Sequence, residues 1–231
     1  MRMHIFPPPA VVALPILGQE PGFPVNRIFC VGRNYAAHAA EMGSEIDREA
    51  PFYFTKSAQA VLPSGAVLAY PPGTADLHHE IELVIAIGSP GFRLSLAQAP
   101  GIVWGHGSGL DMTRRDLQAR AKAKQRPWDL AKDFEGSAVL SALTPAAAFT
   151  PGNQRIRLAV NGVPRQEARI DEMVWGIPEL ISDLSRYYHL VPGDLIMTGT
   201  PAGVGAVVAG DRLSGGVEGL APVELTIGPA S

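Results

Sequence analysis

The sequence has little of several features that would each assign it to a class of protein. Its single cysteine, Cys30, excludes an internal disulfide framework, and a lone cysteine among apolar residues is typical of the core of a protein in a reducing compartment. No apolar run reaches the roughly 20 residues of a membrane span. Residues 9–17 are apolar, but they contain two prolines and no cleavage site follows them, which argues against a signal peptide. We therefore expect a cytoplasmic protein with no membrane partner.

Charge is also scarce, and neither sign dominates. Charged residues make up 18% of the chain, and the formal net charge is −3. This balance leaves no basic surface of the kind that binds nucleic acid, so we predict no nucleic-acid partner. Apolar residues make up 46% of the 231 residues, which is enough for the core of one large globular domain.

Glycine and proline are abundant, with 25 and 21 residues respectively, which favours short strands joined by turns over a helical bundle. The pattern predicts strands at residues 27–32, 52–55, 67–70, 80–87, 101–110, 194–198 and 223–227, and a hairpin at residues 157–165. It predicts helices at residues 34–42, 113–126 and 178–188. The hairpin turns at Asn161 and Gly162, and the second helix begins with a capping box formed by Thr113 and Asp116. A strand-dominated all-β or α+β fold follows, with residues 1–25 as a proline-rich strip beside one domain at residues 26–231.

Two carboxylates stand directly before an apolar strand in the segment DLHHEIELVIAIG. Residues two apart in a strand share a face, so Glu80 and Glu82 project side by side. A solvated face, a cationic side chain, one protonated carboxyl or a divalent cation would each explain such a pair. Asp111, at the junction of a strand and a helix, either caps the helix or provides a third ligand. A site with all three carboxylates would suit Mg²⁺ or Mn²⁺ better than zinc. The adjacent His78 and His79 point to opposite faces of the strand, so they cannot both join one zinc site.

Five segments resemble the fumarylacetoacetate hydrolase family in their order and approximate spacing: VGRNYAAHAAEMG, LHHEIELVIAIG, GLDMTRRDLQ, PWDLAKDF and TGTPAGVG. The resemblance covers roughly residues 27–228. It implies an α+β, strand-dominated fold, a mixed β-roll or sandwich with short helices of the type found in the C-terminal domain of this family. It also implies a homodimer. Within the family, the FPPP, RRDLQ and RPW segments are most similar to the branch that hydrolyses fumarylpyruvate.

The resemblance implies three groups of site residues. The metal ligands, which would hold Mg²⁺ or Mn²⁺, are Glu80, Glu82 and Asp111. The catalytic residues are His38, Glu41 and Lys132. In this group the carboxylate of Glu41 orients the imidazole of His38, which takes a proton from water, and Lys132 stabilises negative charge on the substrate. The substrate-binding residues are Arg33, Lys56, Gln118 and Thr200.

The implied activity is metal-dependent hydrolysis of the C–C bond of a 2,4-diketo acid. Fumarylpyruvate would give fumarate and pyruvate, in the gentisate-type breakdown of aromatic compounds. The same oxoacid site occurs in acylpyruvate hydrolases, in oxaloacetate decarboxylases and in isomerases of hydroxylated dienoates, which remain alternatives. A non-catalytic oxoacid-binding protein is the alternative from a different class, but such a protein has no use for a base that activates water.

Three positions depart from the family pattern. Ser57 stands where proline is common, and His106 stands where an aromatic or small residue is common. Asp133 replaces a small residue, and we expect its charge to pair with the neighbouring Lys132. Residues 43–51 are polar and follow the predicted catalytic helix, so they form either a lid or an ordinary surface loop.

Overall fold

A computed structural model of the chain describes residues 4–43 and 48–230. Within these ranges the α-helices are α1 (Ala36–Glu41), α2 (Arg115–Ala123), α3 (Asp129–Lys132) and α4 (Ile177–Leu184). The strands are β1 (Ala13–Ile16), β2 (Gln19–Pro24), β3 (Ile28–Gly32), β4 (Phe52–Lys56), β5 (Val61–Pro63), β6 (Val67–Tyr70), β7 (Leu77–His79), β8 (Ile81–Ile87), β9 (Val103–Asp111), β10 (Thr113–Arg114), β11 (Ala138–Leu140), β12 (Thr144–Pro145), β13 (Arg155–Val160), β14 (Val163–Arg169), β15 (Leu195–Met197), β16 (Gly205–Val207), β17 (Arg212–Val217) and β18 (Val223–Ala230). None of the described helices combines the length and the hydropathy needed to cross a membrane. Strands far outnumber helical turns, so the strand-dominated fold class is confirmed.

Two large mixed sheets form the body. The first has the order β4-β3-β15-β8-β9-β11-β5, with β12 also paired to β9, and the second has the order β14-β13-β17-β18-β6. Most neighbours are antiparallel, but β15 pairs parallel with β3, β11 with β5, and β18 with β6. Strands β13 and β17 of the second sheet pack on β8 of the first. Because parallel pairs join strands that lie far apart in the sequence, the sheets curl into a roll instead of forming a simple series of hairpins.

An apolar core fills the space between the two sheets. Ile81 and Leu83 of β8 point into it from the first sheet, and Leu158 and Leu213 point into it from the second. These four side chains are at most 1% exposed. Alternation along β8 therefore buries Ile81 and Leu83 in this core and turns the neighbouring Glu82 to the other face of the sheet, where the candidate site lies.

On the other face of the first sheet, β9 carries glycine at alternate positions. A Cβ atom on Gly109 would lie 2.8 Å from Cδ2 of Leu140 and 2.9 Å from Cγ2 of Val84. Glycine therefore allows these strands to approach closely and the sheet to curve. Gly109 pairs with Glu82 of β8, so this curvature lies directly beside the candidate site.

The proline-rich N-terminal segment contains a hairpin formed by β1 and β2. Leu14, Ile16 and Phe23 of this segment are buried and join the apolar cluster on the face of the first sheet that carries Val84 and Leu140. The described part of the strip thus packs on the body, as its apolar residues predict. Its treatment as a unit separate from residues 26–231 stays a prediction.

The predicted hairpin turn is present between β13 and β14. Asn161 has a φ of 53° and Gly162 a φ of 77°, so both adopt the positive φ angles that a type I′ turn requires. Asparagine tolerates this region better than most residues, and glycine has no Cβ to clash there. The two residues therefore determine this turn locally.

The predicted capping box at the second helix is wrong. Helix α2 begins at Arg115, and Thr113 lies in β10, which pairs with β7. The hydroxyl of Thr113 accepts a hydrogen bond of 2.7 Å from the amine of Lys132, while the carboxylate of Asp116 accepts one of 2.6 Å from Thr74. Thr113 thus binds a distant segment, and Asp116 binds both a distant segment and, at 2.8 Å, the N–H of Leu117 in the first turn of α2. The helix also ends earlier than predicted, at Ala123.

Candidate active site

Three buried carboxylates, here called the carboxylate cluster, meet on the face of the first sheet that points away from the second sheet. Glu80 lies between β7 and β8, Glu82 is in β8, and Asp111 is the last residue of β9. A hydrogen bond of 2.8 Å from the N–H of Asp111 to the carbonyl of Glu80 fixes the two strand ends together. Each residue offers a carboxylate oxygen, and these oxygens all lie within 4.8 Å of one another. None of the three residues is more than 5% exposed.

Three cations neutralise two members of the cluster. The amine of Lys132, at the end of α3, lies 2.7 Å from Oε2 of Glu80 and 2.7 Å from Oδ2 of Asp111. The guanidinium of Arg115 lies 2.5 Å from Oε1 of Glu80, and the amine of Lys56 lies 2.8 Å from Oδ1 of Asp111. Burial alone would raise the pKa of Glu80, but the charges of Lys132 and Arg115 hold that pKa well below its usual range.

Glu82 has no such partner among the described residues. Its Oε2 accepts a hydrogen bond of 2.8 Å from the N–H of Gly199. Burial first, and then the charges of Asp111 and Glu80, raise the pKa of Glu82 well above its usual range. A bound cation would relieve this repulsion.

The donor set of the cluster fits a hard divalent cation. Carboxylate oxygens are the ligands that Mg²⁺ and Mn²⁺ prefer. Oδ1 of Asp111 is buried and makes no hydrogen bond, although Lys56 lies close to it at an unfavourable angle. The amine of Lys132 already lies between two of the carboxylates, which shows that the cluster draws positive charge to its centre. The residues present are therefore suited to holding the metal.

The histidine–glutamate pair lies on α1. Nδ1 of the buried His38 is 3.4 Å from Oε2 of Glu41, and the N–H of Gly203 lies 3.2 and 3.1 Å from the two oxygens of Glu41. Burial lowers the pKa of His38, and this effect outweighs the opposing charges of Glu80 and Glu41. The imidazole is therefore neutral at neutral pH, the state in which it can accept a proton.

The glycine-rich segment at residues 198–203 connects the two groups. The N–H of Gly199 binds Glu82, and the N–H of Gly203 binds Glu41. Between them, the hydroxyl of Thr200 accepts a hydrogen bond of 2.8 Å from Gln166. The amide oxygen of Gln166 lies at hydrogen-bond distance, 2.9 Å, from Nδ1 of His79. His79 thus has a structural partner and does not join the carboxylate cluster.

One cavity collects most of the predicted site residues. It is lined by Arg33, His38, Glu80, Glu82, Arg115, Gln118, Lys122, Trp128, Lys132 and Thr200, among others, and is called the active-site cavity below. Lys56 lies outside this lining, because its amine contacts the cluster and the carbonyl of Lys132. It is placed to neutralise Asp111 and not to touch a substrate in the cavity.

Among the residues of this cavity that sequence reasoning missed are two cations, Arg115 and Lys122. Arg115 and Lys122 project from the same face of α2 as the predicted Gln118, and the amide oxygen of Gln118 accepts a hydrogen bond of 2.6 Å from Arg115. The signal was present in the spacing, because residues three, four and seven apart share one helix face. It was not decisive, because the sequence does not show which face turns toward the carboxylates.

The three departures from the family pattern have separate consequences. The expected pair between Asp133 and Lys132 is wrong, because the Asp133 carboxylate accepts hydrogen bonds of 2.9 and 3.1 Å from the N–H and hydroxyl of Ser57. Ser57 and Asp133, two of the three departures, therefore bind each other. His106 lines a different, mainly apolar cavity of about 460 Å³, where its ring lies 5.2 Å from that of Phe149. Of the suggested lid at residues 43–51, residues 44–47 lie outside the described residues.

Comparison with known proteins agrees with this geometry. Residues 27–228 match the model described as the fumarylacetoacetate (FAA) hydrolase C-terminal family. The chain belongs to the fumarylacetoacetate hydrolase family. The family model begins beyond the hairpin formed by β1 and β2 and extends through most of β18.

Relatives within the fumarylacetoacetate hydrolase family include enzymes of two named activities. The chain is 53% identical over 191 residues to a fumarylpyruvate hydrolase of Ralstonia sp, covering 82% of this chain and 100% of that one. It is 41% identical over 203 residues to a mitochondrial oxaloacetate tautomerase of Rattus norvegicus, covering 87% and 91% of the two chains. The crystal structure of fumarylpyruvate hydrolase from Pseudomonas aeruginosa in complex with Mn²⁺ and pyruvate is 48% identical, with a TM-score of 0.95, covering 98% of this chain and 100% of that one.

Proposed function

We propose that this protein hydrolyses the C3–C4 bond of a 2,4-diketo acid, with fumarylpyruvate as substrate and fumarate and pyruvate as products. The observation that carries the proposal is that Glu80 and Glu82 of the carboxylate cluster line one cavity with His38, whose Nδ1 lies 3.4 Å from Glu41. A metal site would bind the oxoacid end of the substrate, and a neutral imidazole beside it can activate water. The similarity to fumarylpyruvate hydrolases from Ralstonia and Pseudomonas aeruginosa supports the same substrate.

The cofactor of this reaction would be Mg²⁺ or Mn²⁺, held by Glu80, Glu82 and Asp111. When bound, the ion supplies positive charge that polarises the oxoacid and stabilises negative charge developing on it. The complex of the Pseudomonas aeruginosa relative with Mn²⁺ and pyruvate supports a divalent cation at this position.

In the proposed reaction, His38 takes a proton from a water molecule while Glu41 holds the imidazole in orientation. The oxygen of this water forms a bond to C4 of the substrate. The C3–C4 bond then breaks, and its electron pair becomes part of the enolate of pyruvate. The proton held by His38 returns to C3, which gives pyruvate and the free acid. Water supplies the atoms gained, so no other reactant is needed.

The remaining residues would bind and stabilise the oxoacid. The amine of Lys132 lies within the carboxylate cluster, and it would stabilise the enolate oxygen. The side chains of Gln118 and Thr200 line the same cavity and would hydrogen-bond the oxoacid carboxylate. Lys56 would hold Asp111 in position through their ion pair.

A second candidate function is the interconversion of the keto and enol forms of oxaloacetate. The observation that favours it is the 41% identity to a mitochondrial oxaloacetate tautomerase of Rattus norvegicus. This reaction needs a base that moves a proton at C3 but no attacking water, and His38 would serve in it equally. Decarboxylation of oxaloacetate is the related alternative that the resemblance raised.

The experiment that tests the proposal compares fumarylpyruvate, acetylpyruvate and oxaloacetate in the presence of Mn²⁺, following the loss of enol absorbance and the formation of pyruvate. We expect hydrolysis of fumarylpyruvate to be fastest. The variant His38→Ala should lose roughly 10²- to 10⁴-fold in kcat, the range expected for general base catalysis, and should still bind oxalate. Turnover of oxaloacetate alone would favour the second candidate function. An unchanged rate in His38→Ala would exclude His38 as the base.

We also infer that the protein is a cytoplasmic homodimer whose catalytic domain is formed by residues 26–231. The family resemblance supports the dimer, and the single buried cysteine is consistent with a reducing compartment. A mass of twice 24.5 kDa by sedimentation would support the dimer, and a monomer at micromolar concentration would contradict it.

A further inference from the structure

The cations in and beside the active-site cavity fall into two sets. Lys56, Lys132 and Arg115 form ion pairs with the carboxylate cluster. Arg33 and Lys122 line the same cavity, and neither forms an ion pair with a carboxylate within residues 4–43 and 48–230. Two positive charges therefore remain for a ligand, in addition to those that balance the cluster.

The two remaining cations flank one pair of aromatic rings. The guanidinium carbon of Arg33 lies 5.9 Å from the ring centre of Phe52, and the amine of Lys122 lies 5.0 Å from that of Trp128. The two rings contact each other, with centroids 4.9 Å apart. Cation–π contacts hold such side chains in place but do not neutralise them. Partial burial lowers the pKa of Lys122, and repulsion from Arg115 and Arg33 adds to this effect. An anion bound at this place would relieve that repulsion.

The backbone of Arg33 is held in an unusual conformation. Its φ of 58° lies in the left-handed region, which residues other than glycine rarely adopt. The next residue, Asn34, fixes this geometry because its side chain donates to the carbonyls of Trp175 and Thr198 at 3.0 and 2.9 Å. It also accepts a hydrogen bond of 2.7 Å from the N–H of Trp175. Arg33 is thus held in a strained conformation by three hydrogen bonds of Asn34. Such strain is typical of functional sites, so we infer that the position of the Arg33 side chain is important for binding.

Gln118 and Lys122 line the active-site cavity from successive turns of α2. Gln118, which would contact the oxoacid end, and Lys122 are four residues apart, so their Cβ atoms are separated by about 5–6 Å. Lys132 lies at the carboxylate cluster, whereas Lys122 lies over the ring of Trp128. A substrate anchored at the cluster would therefore extend its acyl group toward Lys122 and Arg33.

We propose that Arg33 and Lys122 bind a carboxylate at the far end of the acyl group, so that the protein selects diketo acids whose acyl chain is itself an acid. This inference rests on the proposed function, and it adds the residues that distinguish fumarylpyruvate from acetylpyruvate. The two substrates share the pyruvate end and differ at the acyl end, where only fumarylpyruvate carries a second carboxylate. A charge-assisted contact made with one substrate and not with the other produces selectivity.

The test measures kcat/KM for both substrates in wild type, in Lys122→Met and in Arg33→Asn. Asparagine tolerates the left-handed region, so Arg33→Asn removes the charge without adding backbone strain. We expect each variant to lower the ratio of fumarylpyruvate to acetylpyruvate kcat/KM by roughly 10- to 100-fold, the loss expected for one hydrogen bond to a charged group. Lys122→Arg should restore much of the ratio. Lys124→Met, which changes an exposed lysine directly after the same helix, is the matched control and should leave the ratio unchanged.

Inhibition supplies a readout that does not depend on turnover. Fumarate should inhibit Lys122→Met more weakly than wild type, while oxalate, which occupies only the oxoacid end, should inhibit both equally. An equal loss of kcat/KM for both substrates would leave the ratio unchanged, and this result in both variants would overturn the inference. If wild type hydrolyses acetylpyruvate and fumarylpyruvate equally well, the inference fails while the proposed C–C hydrolysis stands. If wild type hydrolyses neither, the proposed function fails and the inference fails with it.

Discussion

At the scale of single residues, the three carboxylates of the cluster differ in what surrounds them. Glu80 contacts Lys132 and Arg115, and Asp111 contacts Lys132 and Lys56. Glu82 receives only a backbone hydrogen bond within the described residues. The protein thus neutralises two carboxylates with its own cations and leaves the third for another charge. This asymmetry explains how the protein can bury three carboxylates together and still attract a metal.

A residue outside the site should control part of the acid stability of the protein. Burial lowers the pKa of His106 to about 4, below its unfolded value of about 6.5. Between these values the unfolded chain binds a proton that the folded protein does not bind, so stability is present above pH 6.5 and is lost as the pH falls. When the pH falls from 7 to 5, the free energy of unfolding should decrease in both proteins. The decrease should be about 2 kcal/mol smaller in His106→Gln than in wild type. Urea unfolding at both pH values measures this difference.

The control for this prediction is His189→Gln, which changes an exposed histidine. It should show the same loss between pH 7 and pH 5 as wild type. Equal losses in wild type and His106→Gln would contradict the account of His106 as a histidine buried in its neutral form.

The acidic residues of the site were predictable from the sequence, whereas its cations were only partly so. Glu80 and Glu82 stand out because the period of a strand puts them on one face, next to a buried apolar run. Arg115 and Lys122 do not stand out, because charged residues on a helix usually face solvent. Only the packing of α2 beside β7 and β10 shows that their face turns toward the carboxylates.

At the scale of elements, the segment at residues 198–203 links the metal site to the catalytic pair. It follows β15 directly, and its backbone N–H groups bind Glu82 at one end and Glu41 at the other. Gly203 has a φ of 94°, and a Cβ atom there would collide with the carbonyl of Arg165. Glycine is required here both for its backbone conformation and for lack of space.

Substitution of this glycine should therefore impair catalysis as well as stability. We expect Gly203→Ala to displace the segment, release the carboxylate of Glu41 and lower kcat for fumarylpyruvate by roughly tenfold or more, within the range that positioned acid–base groups contribute. The matched control is Gly210→Ala, because Gly210 has a φ of 97° but has open space around its Cα. It should lose about 1–2 kcal/mol of unfolding free energy with kcat unchanged. Equal effects of both variants on kcat would contradict the coupling between this segment and Glu41.

Elements with a local signal were predictable, and elements whose signal depends on distant partners were not. The turn at Asn161 and Gly162 was correct because its two residues determine it. The capping box at Thr113 and Asp116 was wrong because Lys132 and Thr74 compete for the same side chains. Short strands such as β7, β10 and β16 carry too few residues for a pattern and exist only because they pair with one another.

At the scale of the whole molecule, the arrangement of the sheets creates the site. β15 pairs in parallel with β3 and antiparallel with β8, although these strands are far apart in the sequence. This arrangement brings the glycine-rich segment after β15 to the carboxylates around β8 and to α1, which follows β3. Pairing order depends on contacts across the whole chain, so composition and periodicity predict the fold class but not the order of strands. The family resemblance supplied the architecture that local patterns could not.

The central claim is that the carboxylate cluster and His38 form one metal-dependent hydrolytic site. Turnover of fumarylpyruvate in wild type, after treatment with EDTA and again after addition of Mn²⁺ or Mg²⁺, tests it most directly. The account predicts that EDTA abolishes turnover, that either metal restores it, and that Glu82→Gln is not restored under the same conditions while its unfolding remains cooperative. Full activity in EDTA, with no metal in the protein by elemental analysis, would contradict the account.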